Sequence, residues 1–206
     1  MTSNSANKSD KKLSVGVLIS GRGSNLQALI KAAQNPDYPA SIDIVISNKP
    51  DAPGIELART ANIPVHIIKH KDFETRDQFD NAITKLLEEA GIELVCLAGF
   101  MRILGEPFVD HWQGRLINIH PSLLPAYKGL DVHRRMLDDG VKMAGCSVHY
   151  VTAQMDEGPI IGQRAVPVLE GYSPEDLAAR TLIEEHILYP ECVAKIAREQ
   201  LTPEKS

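Results

Sequence analysis

Leu116-Ile117-Asn118-Ile119-His120 reads as a strand, and the twofold alternation of a strand sends Ile117 and Ile119 to one face and Asn118 and His120 together to the other. An amide N–H is a fixed neutral donor, and an imidazole changes charge near neutral pH, so the pair can hold a polar group and move a proton. In an open parallel sheet the carboxyl ends of the strands line the ligand crevice, which makes this strand tip a candidate site. The bland alternative is an Asn and a His that only cap the loop that follows.

A second candidate is Ser20-Gly21-Arg22-Gly23-Ser24-Asn25-Leu26-Gln27, directly after an apolar run. Glycines stand where the chain must turn from strand into helix, and Ser24 and Gln27 have the spacing of a capping box. The N–H groups of Gly23, Ser24 and Asn25 then point out of the helix start, where the dipole is positive and an anion is welcome. A single phosphate monoester fits best; a turn with no ligand is the alternative. The third glycine of a dinucleotide fingerprint is Leu26 here, the second strand ends in Asn48 instead of an acid, and no Walker lysine follows, so dinucleotides and triphosphate hydrolysis are disfavoured.

Glu185 shares a helical stripe with Ala178, Leu182 and Tyr189, which aims a carboxylate at an apolar face and demands a partner. Arg102 follows the buried run Cys96-Leu97-Ala98-Gly99-Phe100; a cation there can meet a carboxylate, or it can simply be an exposed arginine. Asp156-Glu157-Gly158 has the composition of a solvated turn. His133 and His149 read as structural first and as site residues only third in line.

The elements that must position these groups are legible as periodicities. Apolar runs at Val15–Ile19, Ile42–Ile46, Val65–Ile68, Leu94–Leu97 and Leu116–Ile119 alternate with helical patterns, Leu26, Leu29, Ile30 and Ala33 in one and Phe79, Ile83, Leu86, Leu87 and Ala90 in another. That alternation predicts an α/β fold, a Rossmann-like domain with a mostly parallel mixed sheet and helices on both faces. Two extended stretches, about Ser147–Val151 and Ile160–Val168, read as a hairpin-like addition. Ser173-Pro174-Glu175-Asp176 starts a last helix with a cap, an early proline and an acid three residues on, and Pro190 is expected to end or kink it near Tyr189.

With 206 residues, 43% of them hydrophobic, one domain is expected, over 13–200, after a Ser/Asn/Lys-rich stretch at 1–12 that reads as a disordered tail. A net charge of -5 without a basic patch argues against a nucleic-acid partner. No apolar run approaches a bilayer span and no signal-peptide core is present, so no membrane partner is expected and a cytoplasmic location is. The three cysteines, Cys96, Cys146 and Cys192, are scattered, and the seven histidines lack ligand spacing, so reduced core thiols and no metal are expected.

Taken as a motif, Ile117-Asn118-Ile119-His120-Pro121-Ser122-Leu123-Leu124-Pro125, followed by Tyr127 and Gly129, resembles the signature of phosphoribosylglycinamide formyltransferases. Ser20 to Gln27 is similar to that family's phosphate loop, Met101-Arg102-Ile103-Leu104 to its folate segment and Asp156-Glu157-Gly158-Pro159-Ile160-Ile161 to its acidic loop. The resemblance spans about Val15 to Tyr189 and implies transfer of a formyl group from 10-formyltetrahydrofolate, a reduced-folate co-substrate, to the amine of phosphoribosylglycinamide in de novo purine biosynthesis, by a monomer or homodimer. It implies that Asn118 and His120 donate to the oxyanion formed at the formyl carbon, that His120 supplies a proton and that Asp156 takes the amine's proton, directly or through water. It further implies phosphate binding by Gly23, Ser24 and Asn25, a grip on the ribose by Glu185, and folate binding by Met101, Arg102, Ile103 and Leu104. Two positions depart from the pattern: Arg22 adds a charge to the glycine loop, and Leu182 stands where some relatives have a polar neighbour of the phosphate.

Three other readings compete. A formyltetrahydrofolate hydrolase passes the formyl group to water and carries a regulatory domain ahead of this one; a methionyl-tRNA formyltransferase continues into a basic RNA-binding domain. A non-catalytic phosphate or mononucleotide sensor would keep the glycine loop and have no use for Asn118, His120 and Asp156 together.

Overall fold

A computed structural model of the chain describes residues 11–202. The expected tail at 1–12 falls outside them except for Lys11 and Lys12, and the Lys11 ammonium pairs with Glu93 at 2.9 Å.

The apolar runs become strands β1 (Leu13–Ile19), β2 (Ala40–Ser47), β3 (Val65–Ile67), β4 (Leu94–Leu97), β5 (Leu116–His120), β6 (Met143–Tyr150) and β7 (Ile160–Pro167). They form one seven-stranded sheet in the order β3-β2-β1-β4-β5-β6-β7. The first five are parallel to one another, and β6 and β7 close the sheet antiparallel. Helices α1 (Ser24–Ala33), α2 (Gly54–Thr60), α3 (Arg76–Glu89), α4 (Glu106–His111), α5 (Val132–Asp138) and α6 (Pro174–Leu201) connect and cover it.

Alternation along the strands splits the core in two. Val15, Val17, Ile19, Ile117 and Ile119 face Leu26 and Leu29 of α1 and Tyr189, Val193 and Ile196 of α6. Leu18, Ile44, Ile46, Val95 and Leu116 face Phe79, Ile83 and Leu87 of α3 and Phe108 of α4. The central strands β1 and β4 therefore bury apolar side chains on both faces, as a parallel sheet with two helical layers requires. Cys96, Cys146 and Cys192 are free and buried in this core.

Two local expectations need correction. Ser24 and Gln27 do not form a capping box: Gly23 occupies the cap with φ +74° and no side-chain cap bond, and Ser24 is already the first helical residue. Only glycine fits there, because a Cβ would lie 2.7 Å from Gly54 Cα, so the approach of two backbones sets where the helix begins. Nor does the last helix stop near Tyr189; α6 runs through Pro190 to Leu201. Proline in a helix interior costs about 3 kcal/mol, and burial of Cys192, Val193, Ile196 and Ala197 beyond it offsets that cost. The start of α6 matches expectation, with Ser173 Oγ accepting from Asp176 N at 3.1 Å and Asp176 Oδ2 accepting from Ser173 N at 2.9 Å.

Candidate active site at the sheet's carboxyl edge

In the order β1-β4-β5, the glycine loop, the Met101–Leu104 segment and the tip of β5 all leave the sheet at carboxyl ends of adjacent strands. This is the edge at which open α/β sheets bind ligands. Asn118 and His120 share the face opposite Ile117 and Ile119, as the alternation predicts, with His120 6% exposed.

The antiparallel partner brings a residue that sequence reasoning ranked low. Asn118 pairs with His149 in the β5–β6 register, and Asn118 Nδ2 lies 3.4 Å from His149 Nε2. His149 Nδ1 lies 2.9 Å from the Tyr150 carbonyl, which can only accept, so this nitrogen carries the proton and Nε2 offers its lone pair to the Asn118 amide. Burial pushes the His149 pKa down, partly offset by the Tyr150 carbonyl and Asp156, which keeps the ring in this neutral form. The result fixes the Asn118 amide with its nitrogen toward His149. The signal available was the same alternation: Ser147 and His149 fall on one face of their strand.

Asp156 lies in the loop between β6 and β7 with φ +54°. Its Oδ2 accepts from Gly129 N at 2.9 Å and stands 3.5 Å from His120 Nδ1, while Oδ1 stands 3.7 Å from His149 Nε2. A Cβ on Gly158 would land on the Tyr150 carbonyl oxygen, so the return of this loop depends on a glycine. His120 Nε2 is 2.9 Å from the Tyr127 carbonyl, so both of its nitrogens face protein acceptors. Glu157 points outward, bonded to Lys128 Nζ at 2.7 Å.

The Pro121–Pro125 stretch is held from below. Ser147 Oγ donates to the Ser122 carbonyl at 2.6 Å and accepts from Leu124 N at 3.0 Å, and Gln163 Nε2 donates to the Leu124 carbonyl at 3.0 Å. Ser147 and Gln163 thus support the motif from β6 and β7, a role the linear sequence did not reveal.

Glu185 is 7% exposed and finds its partner in Asn25, whose Nδ2 donates to Oε2 at 2.7 Å. Burial pushes its carboxyl pKa up, with the Asn25 bond and the charge of His120 pulling the other way. Gly23, Ser24 and Asn25 form the cap and first turn of α1, with Arg22 exposed beside them. Met101, Arg102 and Ile103 are exposed and Leu104 half-buried, on the loop that follows β4, the strand paired with β5. His133, on α5, is a histidine whose pKa is lowered by burial first and by the charge of His120 second.

Residues 13–193 match the model of the formyl transferase family. The chain belongs to that family. The formyl transferase domain here is 46% identical over 178 residues to the phosphoribosylglycinamide formyltransferase of Escherichia coli (strain K12), covering 85% of this chain and 84% of that one. It is 50% identical over 187 residues to the trifunctional purine biosynthetic protein adenosine-3 of Homo sapiens, covering 91% of this chain but only 18% of that protein. The crystal structure of phosphoribosylglycinamide formyltransferase from Brucella melitensis superposes with a TM-score of 0.88 at 49% identity, over 91% of this chain and 96% of that chain. Among the described residues no group of three His, Cys, Asp or Glu side chains is placed to hold a metal, and no helix is long and apolar enough to cross a membrane.

Proposed function

We propose that this formyl transferase carries the formyl group of 10-formyltetrahydrofolate to the amine of phosphoribosylglycinamide, giving formylglycinamide ribonucleotide and tetrahydrofolate in purine biosynthesis. The observation that carries the reading is the convergence of Asp156 on His120 and His149 at 3.5 and 3.7 Å, with Asn118 oriented beside them.

In the reaction the amine nitrogen attacks the formyl carbon, a C–N bond forms, and the carbonyl electron pair moves onto oxygen. Collapse then breaks the bond to the folate nitrogen, and the proton lost by the amine ends on that leaving group. The developing oxyanion needs preorganised donors. The Asn118 N–H not directed at His149 supplies one, and the His120 imidazolium supplies another once Nε2 exchanges the Tyr127 carbonyl for the formyl oxygen. Asp156 is the acceptor for the amine's proton and the counter-charge to the imidazolium. The first turn of α1 offers N–H groups and a positive dipole end to the substrate phosphate, and Glu185, bonded to Asn25 of that turn, serves as the acceptor for the ribose hydroxyls. Met101 and Ile103, 68% and 67% exposed, leave apolar surface for the folate ring, with Arg102 between them for a carboxylate.

The test is the loss of 10-formyltetrahydrofolate on adding phosphoribosylglycinamide. Dependence on the amine is the expected result; turnover without it marks a hydrolase, and no turnover leaves a phosphate-binding sensor. His120→Ala should abolish transfer while the substrates still bind, and unchanged turnover in that variant would remove the mechanism.

A further inference from the structure

We propose that Ser20 and Asp80 are positioning residues for the Met101–Leu104 segment, two buried side chains from outside it that fix its two ends. The inference rests on the assignment of that segment to the folate made above.

Ser20 is the first residue of the glycine loop, 3% exposed, and by its place in the sequence it belongs with phosphate binding. Its hydrogen bonds lead elsewhere. The hydroxyl donates its single proton to Asn48 Oδ1 at 2.6 Å, which turns its lone pairs toward Met101 N, the donor of a 2.7 Å bond. Asn48, at the end of β2, is 4% exposed, so the hydroxyl is held from behind. A donor chain of this kind strengthens each of its members.

At the other end, Asp80 of α3 is also 4% exposed, and its Oδ2 accepts from Gly105 N at 2.7 Å. Gly105 is the cap residue of α4. The fit is close: a Cβ on Gly105 would stand 3.1 Å from Asp80 Oδ2 and 3.3 Å from Arg76 Nε. Between these two bonds the segment has neither helix nor strand, and Met101, Arg102 and Ile103 face outward. Of the segment's own side chains Leu104 packs on the core, so the usefulness of the three exposed ones to a ligand depends on what holds the backbone at Met101 and at Gly105.

The experiment separates the two ligands. Tetrahydrofolate and ribose 5-phosphate are titrated calorimetrically into the wild-type chain and into Ser20→Ala, Asp80→Ala and Asp80→Asn, with a thermal melt of each. Ser20→Ala and Asp80→Ala should each weaken tetrahydrofolate and raise the KM for the formyl donor roughly tenfold, the weight of one N–H left without its acceptor. Ribose 5-phosphate should bind within twofold of wild type. Asp80→Asn keeps an acceptor oxygen and should stay near wild type for both ligands. Loss of ribose 5-phosphate affinity in Ser20→Ala, or unchanged tetrahydrofolate affinity in that variant, overturns the inference. If Ser20→Ala does not fold, equal tetrahydrofolate affinity in the two Asp80 variants overturns it instead. A wild-type chain that binds ribose 5-phosphate and not tetrahydrofolate sinks the functional reading itself, a distinct result.

Discussion

Replacing Asp156 by asparagine removes one charge and little else. The amide oxygen can still accept from Gly129 N, which Asp156 Oδ2 holds at 2.9 Å, so the loop between β6 and β7 should keep its course. What is lost is the carboxylate 3.5 Å from His120 Nδ1, with the two side chains 8% and 10% exposed. At an effective dielectric constant of about 20, a unit charge pair at that separation interacts by about 5 kcal/mol, an upper bound on what the imidazolium loses. Each 1.4 kcal/mol or so is tenfold in rate, and solvent takes part of the rest, so kcat should fall about 100- to 1,000-fold. The assay is the absorbance change as 10-formyltetrahydrofolate is consumed with phosphoribosylglycinamide saturating, beside calorimetric titration with ribose 5-phosphate, whose affinity should not move. A kcat within tenfold of wild type would refute the pairing of Asp156 with His120 as a catalytic element; a matching loss of ribose 5-phosphate affinity would show that the loop had collapsed.

Two further outcomes follow from the same geometry. Gly23→Ala puts a Cβ 2.7 Å from Gly54 Cα at a φ of +74° and should cost roughly 1–3 kcal/mol in urea denaturation, with ribose 5-phosphate affinity falling alongside. Glu185 has its pKa raised by burial, so the folded chain holds that proton more tightly and stability drops as pH rises from the unfolded carboxylate range through the folded value. Glu185→Gln should abolish that share of the slope, be the more stable protein at neutral pH, and bind ribose 5-phosphate more weakly; urea melts from pH 4 to 8 measure the difference, and parallel curves would contradict it.

The parts of the fold visible in sequence were those with a strong period. Leu94–Leu97 appears as expected to the residue, and the stripes on α1 and α3 lie against the sheet, except Ala90, which caps α3 and is exposed. Helices α2, α4 and α5 have 7, 6 and 7 residues, too few turns for a stripe to register, and α5 starts from Asp131 at φ +53°, a cap that propensity does not anticipate. The extent of α6 was hidden because a proline's local cost is visible in sequence and the burial that outweighs it is not. In the site, alternation alone placed Asn118 and His120 together. Asp156 was distinguishable from an ordinary turn acid only through the motif resemblance, because its approach to His120 depends on how the loop between β6 and β7 folds back on itself, which no local propensity encodes. His149 looked structural because its partner lies on another strand.

Helix α6 is one unbroken element of 28 residues, about 42 Å of rod at 1.5 Å per residue. Leu177 ties its first turns to the small cluster around Met136 and Val166, and Val193 and Ile196 tie its far half to the main core. Glu185 sits between these anchorages like a tooth on a shaft fixed at both bearings. A lineage of this chain that came to grip a different sugar could not slide or tilt that carboxylate into a new place; it would have to exchange the residue where it stands and reshape the surrounding loops to meet it.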